Sequence, residues 1–247
     1  MFILRLREYL KFLKSLMKTN ARLMWGMWKL TKLPQPAITI FGGARVLLES
    51  KWGQDAKKLA NILAREGFSI VTGGGPGIME AANMGAFQFV SENYKECKLN
   101  RKSRCYPKFV SAGIGLIKLN KERANPYVQE NIVMEHFFAR KWLLVRYSVG
   151  FVIFPGGYGT MDELSEILTL VQCNRMTKVP IVLMDRDYWS PLSVWSTTRA
   201  LEHGLINAED TKLVRLTDSV EEAANIIITA CKKQDSSLLQ DEINDKQ

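Results

Sequence analysis

Two carboxylates, one basic pair and three glycine-rich turns are the groups whose types and spacing could do chemistry. Glu163 follows Thr160 by three residues, directly after Pro155-Gly156-Gly157-Tyr158-Gly159. Glu80 stands just behind Gly73-Gly74-Gly75-Pro76-Gly77. Arg140 and Lys141 lie among Phe137, Phe138, Trp142, Leu143 and Leu144. So apolar a helix is largely buried, and its basic pair needs an anionic partner. Glycines after a strand let the backbone approach a ligand closely. A helix that begins there aims free N–H groups and its positive dipole end at an anion. The turns at 42–43, 73–77 and 156–159 all have this form, and their coincidence is the strongest signal in the chain. The spacing also permits blander roles. T-x-x-E is a helix capping box in which Glu163 only satisfies backbone donors, and Glu80 can simply complement a helix dipole. Neither a Walker pattern nor G-x-G-x-x-G after the first strand is present, so the usual nucleotide fingerprints do not apply.

These groups need strands and helices to position them. Strands are expected at 37–41, 68–71, 109–116, 150–154, 180–184 and 213–216. Helices are expected at 52–66, from Pro76 through Ala86, at 130–147, 161–171, 188–201 and 219–230. Such alternation predicts right-handed βαβ units: an α/β, Rossmann-like, doubly wound and mainly parallel sheet with helices on both faces. In these sheets ligands bind at the carboxyl ends of the strands, where all three glycine turns fall. Residues 1–36 read as a basic amphipathic helix and linker, 37–231 as the nucleotide-binding catalytic domain, and 232–247 as a polar tail. In the first segment Phe2, Leu6, Tyr9, Leu10, Leu13, Leu16 and Met17 recur at helical spacing, with Arg5, Arg7, Lys11, Lys14 and Lys18 largely between them. Two uses are open to it: packing on the body or a partner subunit, or peripheral contact with an anionic membrane aided by Trp25 and Trp28.

The net charge of +9 is unevenly placed. Residues 1–33 carry +7 and residues 91–108 carry +4, which leaves −2 for everything else. A nucleic-acid enzyme would more often spread positive charge over its binding face, so nucleic acid is not expected as a partner. Four cysteines without a C-x-x-C pair, and only His136 and His203, give a metal site no ligand spacing. Free thiols and the absence of a signal-peptide core lead to the expectation of a cytoplasmic protein.

The run from Pro155 to Glu163 resembles the PGGxGTxxE signature of the Lonely Guy family. Arg140-Lys141 resembles the arginine–lysine pair that accompanies it. The stretch from Gly73 to Asn83 is similar to the second-strand turn of the family's longer bacterial branch, and Gly42-Gly43-Ala44-Arg45 to its first-strand turn. The resemblance covers roughly residues 37–230, with its motifs in order. The basic stretch at 91–108 and the Trp- and Met-rich N-terminal helix depart from the family pattern without touching those motifs.

The resemblance implies hydrolysis of the N-glycosidic bond of a nucleoside 5'-monophosphate, AMP or a cytokinin riboside monophosphate. It needs no metal or other cofactor, and the site stands at the interface of a homodimer or higher homo-oligomer. Glu163 and Arg140 become the expected catalytic residues. Gly43, Gly74, Gly75, Gly77, Glu80, Lys141, Gly156, Gly157, Tyr158, Gly159 and Thr160 become the expected substrate- and phosphate-binding residues. Many members carry a lysine decarboxylase label, but no constellation here resembles a Schiff-base lysine in its setting. The alternatives are a non-catalytic nucleotide or molybdenum-cofactor carrier on the same fold and a DNA-binding module using the basic segments. The preferred base is not legible.

Overall fold

A computed structural model describes residues 2–100, 110–117 and 124–244. Its seven strands are β1 (Ala37–Phe41), β2 (Ser69–Thr72), β3 (Ser111–Leu116), β4 (Glu130–Met134), β5 (Ser148–Ile153), β6 (Ile181–Met184) and β7 (Val214–Thr217). They form one sheet in the order β4-β3-β2-β1-β5-β6-β7, and every pairing is parallel. The chain enters at β1, steps outward to β4, then returns to the other side of β1 to lay down β5, β6 and β7. Its winding therefore reverses between β1 and β5, and connections leaving that point diverge and open a crevice.

The helices are α1 (Phe2–Leu30), α2 (Lys51–Arg65), α3 (Ile78–Asn100), α4 (Phe137–Arg146), α5 (Tyr158–Gln172), α6 (Arg186–Trp195) and α7 (Val220–Asn244). Side chains alternate across each strand, so one sheet feeds two cores. Ile38 and Ile40 of β1 join Val152 and Val182 under α2, α3 and α7. Phe41 joins Phe151 and Ile153 under α4, α5 and α6, and the Phe41 and Phe151 rings stack with centroids 6.2 Å apart. The helix α2 shows the local logic. Ser50 caps it by accepting from the Gly53 N–H at 3.2 Å, and Ala56, Leu59, Ala60 and Leu63 place one apolar stripe on the sheet. Truncating Leu59 to Ala would cost about 2–5 kcal/mol through lost burial and the cavity left behind.

The structure departs from the sequence expectations in three places. The helix expected over 130–147 is two elements, edge strand β4 followed by α4. The helix expected to close near Ala86 continues as α3 through Asn100, so the first half of the basic stretch at 91–108 is helical; residues 101–109 lie outside the described residues. The segment expected as a polar tail from 232 continues α7 as far as Asn244. The second half of α1 packs on the body through buried Thr19, Gly26 and Leu30, with Gly26 against Leu143, Met134 and Ile132. Lys18 and Arg22 pair there with Glu135, and Lys29 with Glu130.

Candidate active site

The crevice at the carboxyl ends of the central strands is a cavity of about 890 Å³. Small-molecule sites typically occupy on the order of 300–1,000 Å³. Its floor is made by the three glycine turns. The β5 turn is fixed first: the Phe154 N–H donates to the Phe41 carbonyl at 2.9 Å, and the Gly43 N–H donates to the Pro155 carbonyl at 3.0 Å. The turn after β1 is thereby tied to the turn after β5 across the winding reversal. Gly156 has no room for a side chain. A Cβ there would stand 2.2 Å from Thr160 Oγ1 and 2.9 Å from the Gly43 nitrogen.

Gly157 is the N-cap of α5, and the first N–H taken inside the helix is that of Met161, bonded to the Gly157 carbonyl at 3.0 Å. The N–H groups of the preceding first turn have no carbonyl one turn back within α5. Gly157, Tyr158, Gly159 and Thr160 all line the cavity, so this turn offers it an anion site. The same geometry disposes of the capping box. Thr160 is inside the helix, not at its cap, and Glu163 sits a turn further along.

Glu163 and Arg140 meet on the cavity wall. The Glu163 Oε1 lies 3.8 Å from Arg140 Nη2, with both side chains largely buried. Burial pushes the Glu163 carboxyl up to about 7, against the opposing pull of the Arg140 guanidinium. Arg140 is held from two sides. Its Nε donates to the Ile114 carbonyl of β3 at 2.8 Å, and its Nη2 lies against Gly73, where a Cβ would be 2.2 Å away.

The turn after β2 is buttressed from behind. The Asn125 N–H donates to the Gly74 carbonyl and its Nδ2 to the Gly75 carbonyl, both at 2.9 Å. Thr72 Oγ1 accepts from the Gly74 N–H at 3.0 Å and donates to Asn83 Oδ1 at 2.8 Å. These bonds restrain the turn from behind, while the buried Asn83 Nδ2 has no hydrogen-bond partner among the described residues.

Of the residues singled out in the sequence, Gly43, Gly74, Gly75, Arg140, Gly156, Gly157, Tyr158, Gly159, Thr160 and Glu163 come together in this cavity. Gly77, Glu80 and Lys141 are not among its lining residues. Gly77 packs beneath the β1 turn, where the Ile78 N–H donates to the Gly43 carbonyl at 3.2 Å. Glu80 is half-buried in the first turn of α3. Lys141 turns to the other side of α4, pairing with Asp162 at 2.7 Å and Glu166 at 3.2 Å beside a separate depression.

Sequence reasoning missed Trp52, Met79, Asn131 and Tyr188, which also line the cavity. Tyr188 Oη donates to the Gly156 carbonyl at 2.5 Å. Asp185 accepts from the Tyr188 N–H at 3.0 Å and from the Trp52 indole N–H at 2.7 Å. Asp185 also holds a left-handed backbone, φ 80°, at the cap of α6. Asp185 and Tyr188 are joined by a local cap spacing, but no local spacing connects either to Trp52. Among the described residues there is no cluster of His, Cys, Asp or Glu able to hold a metal. Among the described residues lining the cavity there is no lysine.

Residues 35–90 match the SLOG cluster4 family. The pyrimidine/purine nucleotide 5'-monophosphate nucleosidase of Escherichia coli strain K12 is 32% identical over 131 residues, 52% of this chain and 26% of that protein. The chain thus spans about a quarter of that relative's length. The cytokinin riboside 5'-monophosphate phosphoribohydrolase of Rhodococcoides fascians is 25% identical over 73% of this chain and 84% of that protein. The molybdenum cofactor carrier protein of Chlamydomonas reinhardtii superposes with a TM-score of 0.52 at 20% identity, covering 81% of this chain and 97% of that one. At that identity the likeness speaks for the fold alone. The family described as possible lysine decarboxylase matches residues 79–227, more than half of the chain and all of its Arg140 and Glu163 wall, and the protein belongs to that family, the Lonely Guy family.

Proposed function

We propose that the protein hydrolyses the N-glycosidic bond of a nucleoside 5'-monophosphate, releasing the free base and ribose 5-phosphate. The observation that carries this is the buried Glu163 carboxylate beside Arg140, in one cavity with the first turn of α5. The 5'-phosphate sits on the N–H groups of that turn, with Gly43 and Gly74 close by. Remote binding then places C1' of the ribose at Glu163. As the bond to the base breaks, its electron pair leaves with the base nitrogen and C1' gains oxocarbenium character. The ionised Glu163 stabilises that charge and orients the attacking water. Water adds hydroxide to C1' as Glu163 takes its proton, and that proton then passes to the departing base nitrogen, leaving Glu163 ionised again. Arg140 stays cationic and acts on the ribose or the leaving base as a hydrogen-bond donor.

A decarboxylase finds less support, since the described part of the cavity offers no lysine for a Schiff base. The activity belongs to residues 37–231, and a cytosolic location is part of the same proposal. Among the described residues no helix is long and apolar enough to cross a membrane. A homodimer, which the family likeness implies, is also part of it. The exposed Phe137, Phe138 and Trp142 rings on α4 support it, and sedimentation of the full chain tests it.

Incubating AMP and isopentenyladenosine monophosphate with wild type and with Glu163→Gln, followed by chromatography, tests the reaction. Base and ribose 5-phosphate from wild type alone is the expected result. Tight nucleotide binding with no base release from either protein would favour the carrier instead.

A further inference from the structure

We infer that α1 is a peripheral anchor for an anionic lipid surface. A helix resting on a soluble body normally turns its apolar side inward. Here α1 does so only in its second half, through Thr19, Gly26 and Leu30. A second apolar row, Leu6, Leu10, Leu13, Met17, Met24 and Trp28, runs along its outward side. All six are exposed, Met17 by 65% and Met24 by 71%.

The cations repeat the spacing of that row, one residue later. Arg7, Lys11, Lys14 and Lys18 follow Leu6, Leu10, Leu13 and Met17 in turn. One residue is about 100° of helix rotation, so a basic row runs parallel to the apolar row along its flank. That is the placement in which the apolar row enters an acyl layer while the long basic side chains reach the headgroups. Trp25 and Trp28 carry the pattern to the end of the helix, with Lys29 Nζ 4.1 Å and Lys32 Nζ 3.3 Å from their ring centres. Such amphipathic rings favour the headgroup level.

Charge separates this occupant from a second copy of α1. Residues 1–33 hold eight basic residues and one acidic residue, Glu8. Within the basic row Lys11 pairs with Glu8 and Lys18 with Glu135, but two copies joined along the apolar row would bring their Arg7 and Lys14 side chains together unneutralised. Among the described residues no carboxylate pairs with Arg7 or Lys14, which leaves both free for anionic headgroups.

The test is co-sedimentation of the full chain with vesicles of phosphatidylcholine alone or mixed with phosphatidylglycerol. The expected result is binding at least about tenfold stronger to the phosphatidylglycerol vesicles, released near 1 M salt. Leu10→Ser/Leu13→Ser should lose that binding while keeping nucleotide hydrolysis, because neither residue touches the body's cavity. Arg7→Glu/Lys14→Glu should lose the preference for anionic lipid. Wild type that ignores both vesicle types, or a serine variant that still binds, overturns the proposal. So does a wild-type dimer that the serine variant dissociates without any vesicle binding, which would identify a second copy as the occupant.

Discussion

Arg140 stands 3.8 Å from Glu163 yet directs its Nε to the Ile114 carbonyl at 2.8 Å. The guanidinium is therefore an electrostatic neighbour of the carboxylate more than a hydrogen-bonded partner. Burial outweighs that attraction, and the carboxyl is poised at about 7. A general base is most useful when its pKa lies near the working pH. A tighter, bidentate pair would hold Glu163 ionised but occupy the oxygens that must face the ribose.

The first prediction is a pH profile. Hydrolysis through ionised Glu163 should rise in kcat/KM as pH passes about 7 and fall below it. Removing the neighbouring positive charge disfavours the carboxylate, so Arg140→Gln should move the limb to higher pH. The substrate phosphate titrates near pH ~6 and its limb will not move with the substitution. Rates measured for both proteins across the range separate the two.

The second concerns stability. The Glu163 pKa rises from 4.5 to about 7 on folding, so between those values the folded state binds more protons than the unfolded state. Stability is then lost as pH rises through that window. The full cost above it is roughly 3 kcal/mol, at ~1.4 kcal/mol per unit. Glu163→Gln should be inactive yet more stable than wild type at about pH 8, with the gap closing toward pH ~4.5. Urea unfolding at the two pH values reads the difference.

The third rests on the contact between Gly73 and Arg140. An alanine Cβ would stand 2.2 Å from Nη2, so Gly73→Ala must displace the guanidinium. A shift on the order of 1 Å at a reacting centre can cost about a hundredfold in rate. The loss should fall on kcat, with KM changed much less, because the phosphate turn of α5 is untouched. Steady-state kinetics that showed the reverse split would place Arg140 in binding alone.

The fourth uses Tyr188. Tyr188→Phe deletes the hydrogen bond to the Gly156 carbonyl and leaves the ring packing against Trp52. One such bond is worth about 1 kcal/mol, so KM should rise roughly fivefold while kcat changes little. Trp52→Phe, which leaves Asp185 without its indole donor, should weaken binding in the same direction. Titration of AMP into each variant measures both.

Much of the sheet and the glycine turns could be read from the chain because their signals are local. Strand β1 was expected at 37–41 and stands at Ala37–Phe41, since a short apolar run between Pro36 and Gly42 has few alternatives. Strand β4 was hidden because no glycine or proline separates Glu130–Met134 from Phe137–Arg146, and the two apolar runs merge into one helical pattern. Asp185 and Tyr188 were invisible for a different reason. Their value to the cavity comes from meeting Trp52 and Gly156, which lie far away in sequence. Asn125 likewise acts only because the fold lays it behind Gly74 and Gly75.

The last prediction separates Lys141 from its neighbour. Adjacent residues on a helix diverge by about 100°, so Arg140 and Lys141 cannot both face one cavity. The structure turns Arg140 inward and leaves Lys141 against Asp162 and Glu166. Lys141→Met should therefore keep KM for the nucleotide within about threefold, since no hydrogen bond to the substrate is lost. It should lower stability by about 1 kcal/mol, because the partly buried Glu166 loses its cation. One trace should reach the active site: Lys141 helps hold down the Glu163 pKa, so the pH limb should move slightly upward. A rise in KM of tenfold or more, with stability unchanged, would show instead that Lys141 reaches the phosphate when substrate is bound.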